Sequence, residues 1–469
     1  MIIKKYKLIF WTYFVQFLSL IIGVVSTKIL TNVLPIDDFG KYSEFLSIIS
    51  LLLTILSLNL GHGFLRFSSG ISQYLKNRYF NTIFVIQTAA VLLFFILAFS
   101  TSQYHGFFSK SNVTFFLFIG ALSGLFSALL SNYILSSGNF LLLARLNLIN
   151  TILSFLIIIV GAILYNSFNV LILFWLFANC LTVLLFLFAQ KIDINIFRFS
   201  PRLGLKLMKF GLPLLIGALA YWFLNSGNRL LISHYLGSET LAKYSVMMTV
   251  PSTITIIYAT FNTMFLSHLS KLHNNSNFLE VEIWLSRVYT LYIIISLAFA
   301  SAFSVLAIDY VIFLSSQKYL YTNLNISVFL GGIQSVFFGA FMILQKMYDM
   351  TLTPIKSMLN SLIMCLVAFS LNVILIPKYG ILGSQIGNVF GILIGILIIR
   401  FSSFSNLNPN LGNFRVLILL SLTFLIFFII HKLNIQGIYY HIFLSFFVFM
   451  IHIGIGIFIF KINLREFFK

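Results

Sequence analysis

The amino-acid sequence predicts an all-α polytopic membrane protein with about 14 transmembrane helices. Its 469 residues are 60% hydrophobic and only 8% charged, and the mean hydropathy of +1.04 is too high for a water-soluble surface. At about 20 residues for each spanning helix plus short turns, this length holds roughly 12 to 14 helices and leaves little for a soluble domain. The composition therefore excludes most classes of soluble enzyme.

Apolar runs of about 20 residues, bounded by charged residues, Asn, Pro or Gly, locate the individual helices. The first run follows MIIKKYK without a small-residue cleavage site, so we expect a membrane helix there rather than a signal peptide. The connections at 166–169 and 376–380 are very short. The predicted spans are, in order, 8–32, 43–65, 80–103, 113–135, 146–166, 169–190, 207–228, 243–267, 284–308, 324–346, 357–376, 380–401, 414–431 and 439–460.

Positive charge is distributed unevenly between the two sides of these spans. The chain has 29 Lys and Arg against 10 Asp and Glu, a formal net charge of +19. Membrane proteins concentrate Lys and Arg in cytoplasmic loops, and with the N-terminus placed inside most of these cations fall on the cytoplasmic side. We interpret the excess as topology rather than as a surface for nucleic acid, and we expect both termini to be cytoplasmic.

A repeated segment indicates two lobes. LPIDDFGKYS at 34–43 and LGSETLAKYS at 236–245 match at a constant offset, each after the first helix of one half. Parallel repeats are an established transporter plan, with the substrate path at their interface. The predicted organisation is an N-terminal six-helix lobe at 1–190, a basic interfacial linker at 191–206, a C-terminal six-helix lobe at 207–402 and a C-terminal helix pair at 403–469.

Four segments carry a family resemblance. They are TKILTNVLPIDDFGKYSEF (27–45), GLP (211–213), NRLLISHYLGSETLAKYSV (228–246) and LNVILIPKYGILGSQIGNVFG (371–391). In this order they resemble landmarks of the Wzx-type flippases of O-antigen and polysaccharide repeat units, polysaccharide biosynthesis membrane proteins of the MOP superfamily. That superfamily also holds the MATE multidrug exporters and the lipid II flippase. The family commonly has Asp-Arg where this chain has Asn228-Arg229, so that ion pair is not available here.

The resemblance implies a MATE-like fold with a central cavity and an alternating-access mechanism. The implied cargo is a polyprenyl-pyrophosphate-linked oligosaccharide, an O-antigen or capsule repeat unit, moved from the cytoplasmic to the outer leaflet of the bacterial inner membrane. No cofactor is implied, and the energy would come from a proton or sodium gradient or from the membrane potential. The implied partners are the lipid-linked oligosaccharide, membrane lipids, and the polysaccharide polymerase and chain-length machinery, with no nucleic acid.

Cations near the ends of spans are the candidates for binding an anionic head group. A charge at the bilayer centre costs roughly 2.5 to 3.5 kcal/mol on the insertion scale, so a charge near a span indicates a binding partner or a functional role. Guanidinium groups bind phosphates bidentately, but long basic side chains near helix ends also snorkel to the interface. Both interpretations stay open for Lys28, Arg66, Arg145 and Arg229.

Acidic residues near the spans are scarce, being Glu44, Asp309 and Asp349, all towards helix ends. An exporter of cationic drugs would be expected to bury carboxylates, so this scarcity favours an anionic cargo. The sugars of such a cargo need hydroxyl and amide partners. The candidates are Gln16, Asn225, Gln334, Gln345 and Asn388.

Small and polar residues also recur at helical spacing. Ser47, Ser50, Thr54, Ser57 and Gly61 form one stripe on the second span, which either packs against another helix or lines a cavity. Gly387, Gly391 and Gly395, four residues apart, predict close packing of the twelfth span against its neighbours.

The sequence offers little support for catalysis or for metal binding. It contains no GxxxxGK[ST] phosphate loop, and its eight His are scattered without an acid at metal-ligand spacing. We therefore predict a protein that is not an enzyme. The competing functions are a membrane glycan polymerase or ligase, which needs a large outward loop, a MATE-type cation or drug exporter, and a lipid II flippase.

Overall fold

A computed structural model of the protein describes residues 2–68, 71–101, 111–189, 194–258, 277–350, 354–401, 409, 411–433 and 437–460. Within these residues all regular secondary structure is helical. The chain divides into two compact units, Met1–Leu230 and Leu231–Lys469. The predicted division at a linker over 191–206 stays a prediction.

Unit 1 (Met1–Leu230) contains eight numbered helices among its described residues. They are α1 (Ile2–Val33), α2 (Ile36–Leu56), α3 (Leu60–Ser68), α4 (Gln73–Thr101), α5 (Ser111–Ser136), α6 (Phe140–Tyr165), α7 (Phe168–Ala189) and α8 (Pro201–Trp222). A 3₁₀ turn at Ile196–Arg198 precedes α8 and a π-helical turn at Phe223–Gly227 follows it. Helix α9 (Asn228–Leu236) begins at the end of this unit.

Unit 2 (Leu231–Lys469) continues from α9 with further helices in its described part. They are α10 (Ser238–Thr249), α11 (Phe278–Val305), α12 (Ala307–Leu314), α13 (Leu324–Met350), α14 (Pro354–Tyr379), α15 (Ile381–Phe401), α16 (Asn413–Leu433) and α17 (Ile438–Phe460). Short 3₁₀ turns lie at Pro251–Thr253 and Gln317–Tyr319.

Thirteen helical segments of the described residues are long and apolar enough to cross a membrane, which confirms the all-α polytopic class. The predicted eighth span, 243–267, falls on α10, on the 3₁₀ turn after it and on residues from 259 onward that lie outside the described part. The seventh candidate span is long, because α8, the π-helical turn and α9 run together as Pro201–Leu236. Helix α8 therefore begins six residues earlier than the predicted 207, with Pro201 in its first turn, where the missing amide hydrogen costs nothing.

Two tight turns separate helices that the sequence places almost end to end. Asn166 ends α6 in the left-handed conformation at φ 48°, and Gly380 adopts φ 62° between α14 and α15. Glycine and asparagine tolerate this conformation, so each hairpin turns within a few residues. The very short connections predicted at 166–169 and 376–380 are confirmed.

The prediction that the second span forms one continuous helix is wrong. Over 43–65 the chain breaks between α2 and α3, and two successive residues that are not glycine, Leu58 and Asn59, have φ angles of 47° and 52°. The Ser57 hydroxyl accepts a hydrogen bond from the Asn59 backbone N–H at 3.2 Å. The polar stripe predicted on this span therefore continues only to the end of α2, and Gly61 belongs to a separate helix.

Unit 1 packs around aromatic side chains from several helices. Phe64 of α3, Phe80 of α4, Tyr133 of α5 and Leu207 of α8 share one buried cluster. The rings of Phe80 and Tyr133 meet edge to face with centroids 5.5 Å apart. This cluster fixes α3, and with it the helix break, against α4, α5 and α8.

The hairpin of α14 and α15 confirms the close packing predicted from the glycine run. A Cβ added to Gly387 would lie 2.8 Å from Asn372 Oδ1, and one added to Gly391 would lie 2.6 Å from the Ala368 Cβ. A Cβ added to the third glycine, Gly395, would lie 2.8 Å from the Met364 sulfur and 3.0 Å from Phe341 Cε2. Larger side chains would push α15 away from α14 and α13.

Candidate functional site

The break between α2 and α3 opens a polar cavity inside unit 1. The cavity has a volume of about 200 Å³. Its polar lining comes from the break itself, from α3, from α4 and from α5. These polar residues are Ser57, Asn59, His62, Gln87 and Asn132.

Backbone groups freed by the break are satisfied by a side chain from α4. Gln87 is 7% exposed, and its Nε2 donates a hydrogen bond to the Ser57 carbonyl oxygen at 3.1 Å. A helix end inside a membrane needs such a partner, since lipid offers none. The carboxamide of Gln87 thus both stabilises the break and lines the cavity.

Two glycines allow the close approach that shapes the cavity. A Cβ added to Gly61 would lie 2.5 Å from Asn132 Nδ2, so any larger residue at this position would displace the Asn132 carboxamide. A Cβ added to Gly211 of α8 would lie 2.7 Å from the Leu58 carbonyl oxygen. Helix α8 therefore packs directly on the backbone of the break.

Helix α3 carries Arg66 and also contributes residues to the cavity lining. Gly63 and Phe64 are buried, while His62 and Arg66, one turn apart, are exposed on the opposite face. Leu65, the residue before Arg66, also lines the cavity. Arg66, predicted from the sequence, therefore lies on a helix that lines the cavity, one turn after His62.

Two cations, one on α3 and one on α8, are held against aromatic rings. The Arg66 Cζ lies 4.8 Å from the centroid of the Phe210 ring, and the Lys206 Nζ lies 4.3 Å from that of Phe67. The two rings meet edge to face at 5.5 Å. We call Arg66, Phe67, Lys206 and Phe210 the cation–aromatic cluster. Ring contacts orient the cations without neutralising them, so their N–H donors stay available to an anion.

Acidic side chains in the described part of unit 1 are Asp37, Asp38 and Glu44. Lys41 pairs with both aspartates, and its Nζ lies 3.7 Å from Asp38 Oδ1. These two carboxylates therefore share one cation of their own helix. The cation–aromatic cluster contributes two positive charges to the candidate site.

The other predicted head-group residues come from different elements. Lys28 is half-buried on α1, Arg145 is exposed on α6 and Arg229 is half-buried at the start of α9. Of the four predicted cations, Arg66 is the one that lies on a helix lining the polar cavity and belongs to the cation–aromatic cluster. Binding by the other three stays a prediction.

The predicted sugar-binding residues of unit 1 have different surroundings. Gln16 is half-buried on α1 and its Oε1 has no hydrogen-bond partner among the described residues. Asn225 is exposed in the π-helical turn, where its Nδ2 donates to the Tyr221 carbonyl oxygen at 2.9 Å. A role in binding sugars stays a prediction for both.

The three predicted sugar-binding residues of unit 2 are buried among helices. Gln334 is 7% exposed, and Gln345 donates through Nε2 to the hydroxyls of Ser357 and, at 3.3 Å, Ser361. Asn388 accepts a hydrogen bond at its Oδ1 from Asn372 Nδ2 at 2.8 Å. These contacts favour packing roles for Gln345 and Asn388, and binding stays a prediction.

Five polar or charged residues of the site are absent from the sequence-based candidates. They are Asn59, His62, Gln87, Asn132 and Lys206. A polar residue inside an apolar run is the available signal for Gln87 and Asn132, because an amide in a span needs a partner. Lys206 lies in a stretch assigned to a linker, and only its helical position on α8 brings it to Phe67.

Comparison with known proteins gives both a family and a fold. The sequence model of the family described as "polysaccharide biosynthesis protein" matches residues 29–284. No curated protein sequence matches the chain. The structure of the lipid II flippase MurJ in an inward closed conformation aligns with a TM-score of 0.75 and 14% identity, covering 98% of this chain and 99% of that one.

Two multidrug transporters share the fold more distantly. An inward-facing MATE family transporter of the MOP superfamily aligns with a TM-score of 0.55 and 16% identity, covering 81% of this chain and 94% of that one. A point mutant of the MATE transporter VcmN of Vibrio cholerae aligns with a TM-score of 0.58 and 12% identity, covering 84% and 97%. At these identities the likeness shows the fold, and it confirms the predicted MATE-like class.

Proposed function

The chain belongs to the polysaccharide biosynthesis protein family, and we propose that within it the protein is a Wzx-type flippase of a polyprenyl-pyrophosphate-linked oligosaccharide. The cargo is an O-antigen or capsule repeat unit, and it moves from the cytoplasmic to the outer leaflet of the bacterial inner membrane by alternating access. Both termini lie in the cytoplasm. A proton or sodium gradient drives the cycle, and the flipped unit passes to the polysaccharide polymerase and chain-length machinery.

The cation–aromatic cluster on α3 and α8, taken together with the polar cavity that α3 also lines, is the observation that carries this proposal. Arg66 and Lys206 offer N–H donors to a phosphate, while the carboxamides of Asn59, Gln87 and Asn132 offer N–H donors to the same pyrophosphate and hydrogen-bond partners to the sugar beyond it. A cation substrate would meet two positive charges here. A phosphorylated glycolipid meets donors for its head group and amides for its first sugar.

The size of the cavity limits how much of the cargo it holds. At about 200 Å³ it is smaller than the 300–1,000 Å³ typical of small-molecule sites. It accommodates one sugar or phosphate group of a glycolipid rather than a whole repeat unit. The cavity is therefore proposed as the recognition point of the first group after the lipid.

Deletion of the gene tests the proposal in cells. Cells without the protein should lose long surface polysaccharide and retain lipid-linked repeat units on the cytoplasmic leaflet, and a plasmid copy should restore export. Normal surface polysaccharide in the deletion strain, with no trapped repeat units, would contradict the proposed function.

Lipid II flipping is the second candidate, supported by the likeness to MurJ along 98% of the chain. Lipid II is also a polyprenyl-pyrophosphate glycolipid, so the same cluster and amides suit it. The two candidates separate in a strain depleted of its own lipid II flippase. Rescue of cell-wall synthesis by this protein would favour lipid II, and failure to rescue alongside restored surface polysaccharide would favour the repeat unit.

A further inference from the structure

A second cavity in unit 1 lies next to the polar cavity and has a different character. It is an apolar groove of about 510 Å³ bounded by α4, α5 and α7. Its side walls are hydrocarbon and aromatic groups. The residues that define it are Phe84, Val91, Leu122, Phe126, Val183 and Leu184.

The groove opens at the surface of a membrane-spanning helix. Leu184 of α7 is 47% exposed, and Cys180, one turn earlier, is also exposed. On a multi-pass membrane protein an exposed apolar face of a spanning helix meets lipid. A chain in the bilayer therefore reaches the groove without crossing water.

The two cavities share part of their lining. Gln87 of α4 and Leu125 of α5 line both the polar cavity and the groove. Gln87 is held in place by its hydrogen bond to the Ser57 carbonyl oxygen, and Leu125 is 4% exposed. A polar compartment and an apolar compartment on either side of these two side chains fit a molecule with a polar head and a long hydrocarbon tail.

We propose that this groove, the tail groove, binds the polyprenyl chain of the lipid whose head group occupies the polar cavity, with head and chain meeting at Gln87 and Leu125. This inference rests on the proposed function and adds a site for the part of the cargo that is not sugar. Lipid tails surround the protein on all sides, so burial of hydrocarbon gives little net driving force. Selection for this chain over a bulk acyl chain comes from its covalent link to the bound head group.

Photochemical crosslinking on the purified full-length protein tests the tail groove. The probe is a polyprenyl phosphate with a diazirine in its prenyl chain, and mass spectrometry maps the crosslinked peptides. We expect adducts on the groove-facing segments of α4, α5 and α7. Unlabelled polyprenyl phosphate should suppress them, and the same amount of phosphatidylglycerol should not.

A matched pair of substitutions on α7 sharpens the test. Leu184 and Leu173 are both 47% exposed on this helix, but only Leu184 belongs to the groove lining described above. Leu184→Trp should reduce groove adducts several-fold by filling the groove, whereas Leu173→Trp should leave them unchanged. The map from the unsubstituted protein decides the question even if one variant folds poorly.

Three results would overturn the tail groove: adducts that map outside α4, α5 and α7, equal suppression by phosphatidylglycerol, or equal effects of the two Trp variants. Equal suppression by phosphatidylglycerol would show a groove for bulk acyl chains. The crosslinking readout does not depend on transport. A deletion strain with normal polysaccharide would therefore remove the proposed function while leaving a mapped polyprenyl site in place.

Discussion

The Arg66 guanidinium lies 4.8 Å over the ring of Phe210, so α3 presents this cation on an aromatic face of α8. In the part of unit 1 that the structure describes, the Arg66 guanidinium forms no salt bridge with an acidic side chain. The contact fixes the position of the guanidinium and leaves its hydrogen-bond donors free for a phosphate. If the cluster binds the head group as proposed, we expect binding to depend on the fork of donors and not on charge alone.

Substitution of Arg66 should separate these two contributions. Arg66→Lys keeps the charge but loses the bidentate fork and the planar stacking, and we expect a partial loss of export. Arg66→Gln loses the charge as well. Because hydrogen bonds to charged groups contribute about 1.5–3 kcal/mol, a roughly tenfold or greater loss of affinity is expected. The measurement is the amount and length of surface polysaccharide at matched protein levels.

Arg202 provides the control for this prediction. It is exposed on α8, one turn before Lys206, so it shares the helix without belonging to the cation–aromatic cluster. Arg202→Gln should leave export near the level of the unsubstituted protein. An equal loss in Arg202→Gln and Arg66→Gln would mean that general positive charge, and not the cluster, supports export.

Gly61→Ala should impair transport with little effect on stability. The added Cβ would lie 2.5 Å from Asn132 Nδ2, the far end of a flexible side chain, so the carboxamide shifts and the backbone stays. The polar cavity then loses one amide in its proper position. Export and thermal unfolding in detergent are measured together.

Gly217→Ala is the matched control, because nothing lies within 4 Å of a Cβ added there. It should not impair export, and because alanine favours a helix more than glycine does, it should not lower the unfolding temperature. A Gly61→Ala variant that exports normally would show that the position of Asn132 does not matter for function.

The sequence predicts the helices of this fold better than it predicts the site. Hydropathy locates the spans because length and apolarity are local properties, and the turns at Asn166 and Gly380 are signalled by residues that tolerate positive φ. The left-handed backbone at Leu58 and Asn59 leaves no mark in hydropathy, since the segment is apolar on both sides. The break depends on tertiary partners, namely Gln87 of α4 and the close approach of Gly211 of α8.

The same distinction applies to the candidate residues. Arg66 is a candidate because a charge in a span needs a reason, and its ring partner Phe210 lies far along the chain on another helix. Asn388 is a candidate because sugars need amide partners, and its own partner Asn372 lies on the adjacent helix of a hairpin. A polar residue in a span thus predicts that a partner exists, but only the fold shows whether a protein group already fills that role.

Gly383→Ala should destabilise unit 2 strongly. An added Cβ would lie 2.2 Å from the Leu375 carbonyl oxygen and 2.9 Å from the Ile376 nitrogen, so the backbone of α14 or α15 must move. Overpacking of this kind costs about 1–3 kcal/mol. Thermal unfolding of the purified protein measures the change, and Gly454→Ala on α17, with open space around its added Cβ, should leave it unaltered. Equal unfolding temperatures for the two variants would contradict the tight hairpin.

The Asp309–His441 contact should stabilise the attachment of α17 to unit 2. Asp309 Oδ2 of α12 lies 2.6 Å from His441 Nδ1 of α17, and the side chains are only 18% and 19% exposed. Residues in contact show coupling energies of about 0.5–3 kcal/mol in a double-mutant cycle. The cycle of Asp309→Asn, His441→Phe and the double variant, followed by unfolding, should give a value in this range. A coupling of zero would mean that the pair does not hold the two helices together.

The Asn372–Asn388 pair offers a direct choice between packing and binding. Both side chains are 0% exposed, and Asn388→Leu would leave Asn372 Nδ2 without its acceptor at a cost of about 1–3 kcal/mol. The double variant Asn372→Leu with Asn388→Leu should recover part of that loss, because no donor then stays buried without an acceptor. The comparison variant is Gln334→Leu, which removes a side-chain Oε1 that has no hydrogen-bond partner among the described residues and should cost less. If Asn388→Leu instead unfolds like the unsubstituted protein but fails to export, Asn388 acts on the cargo and not on the hairpin.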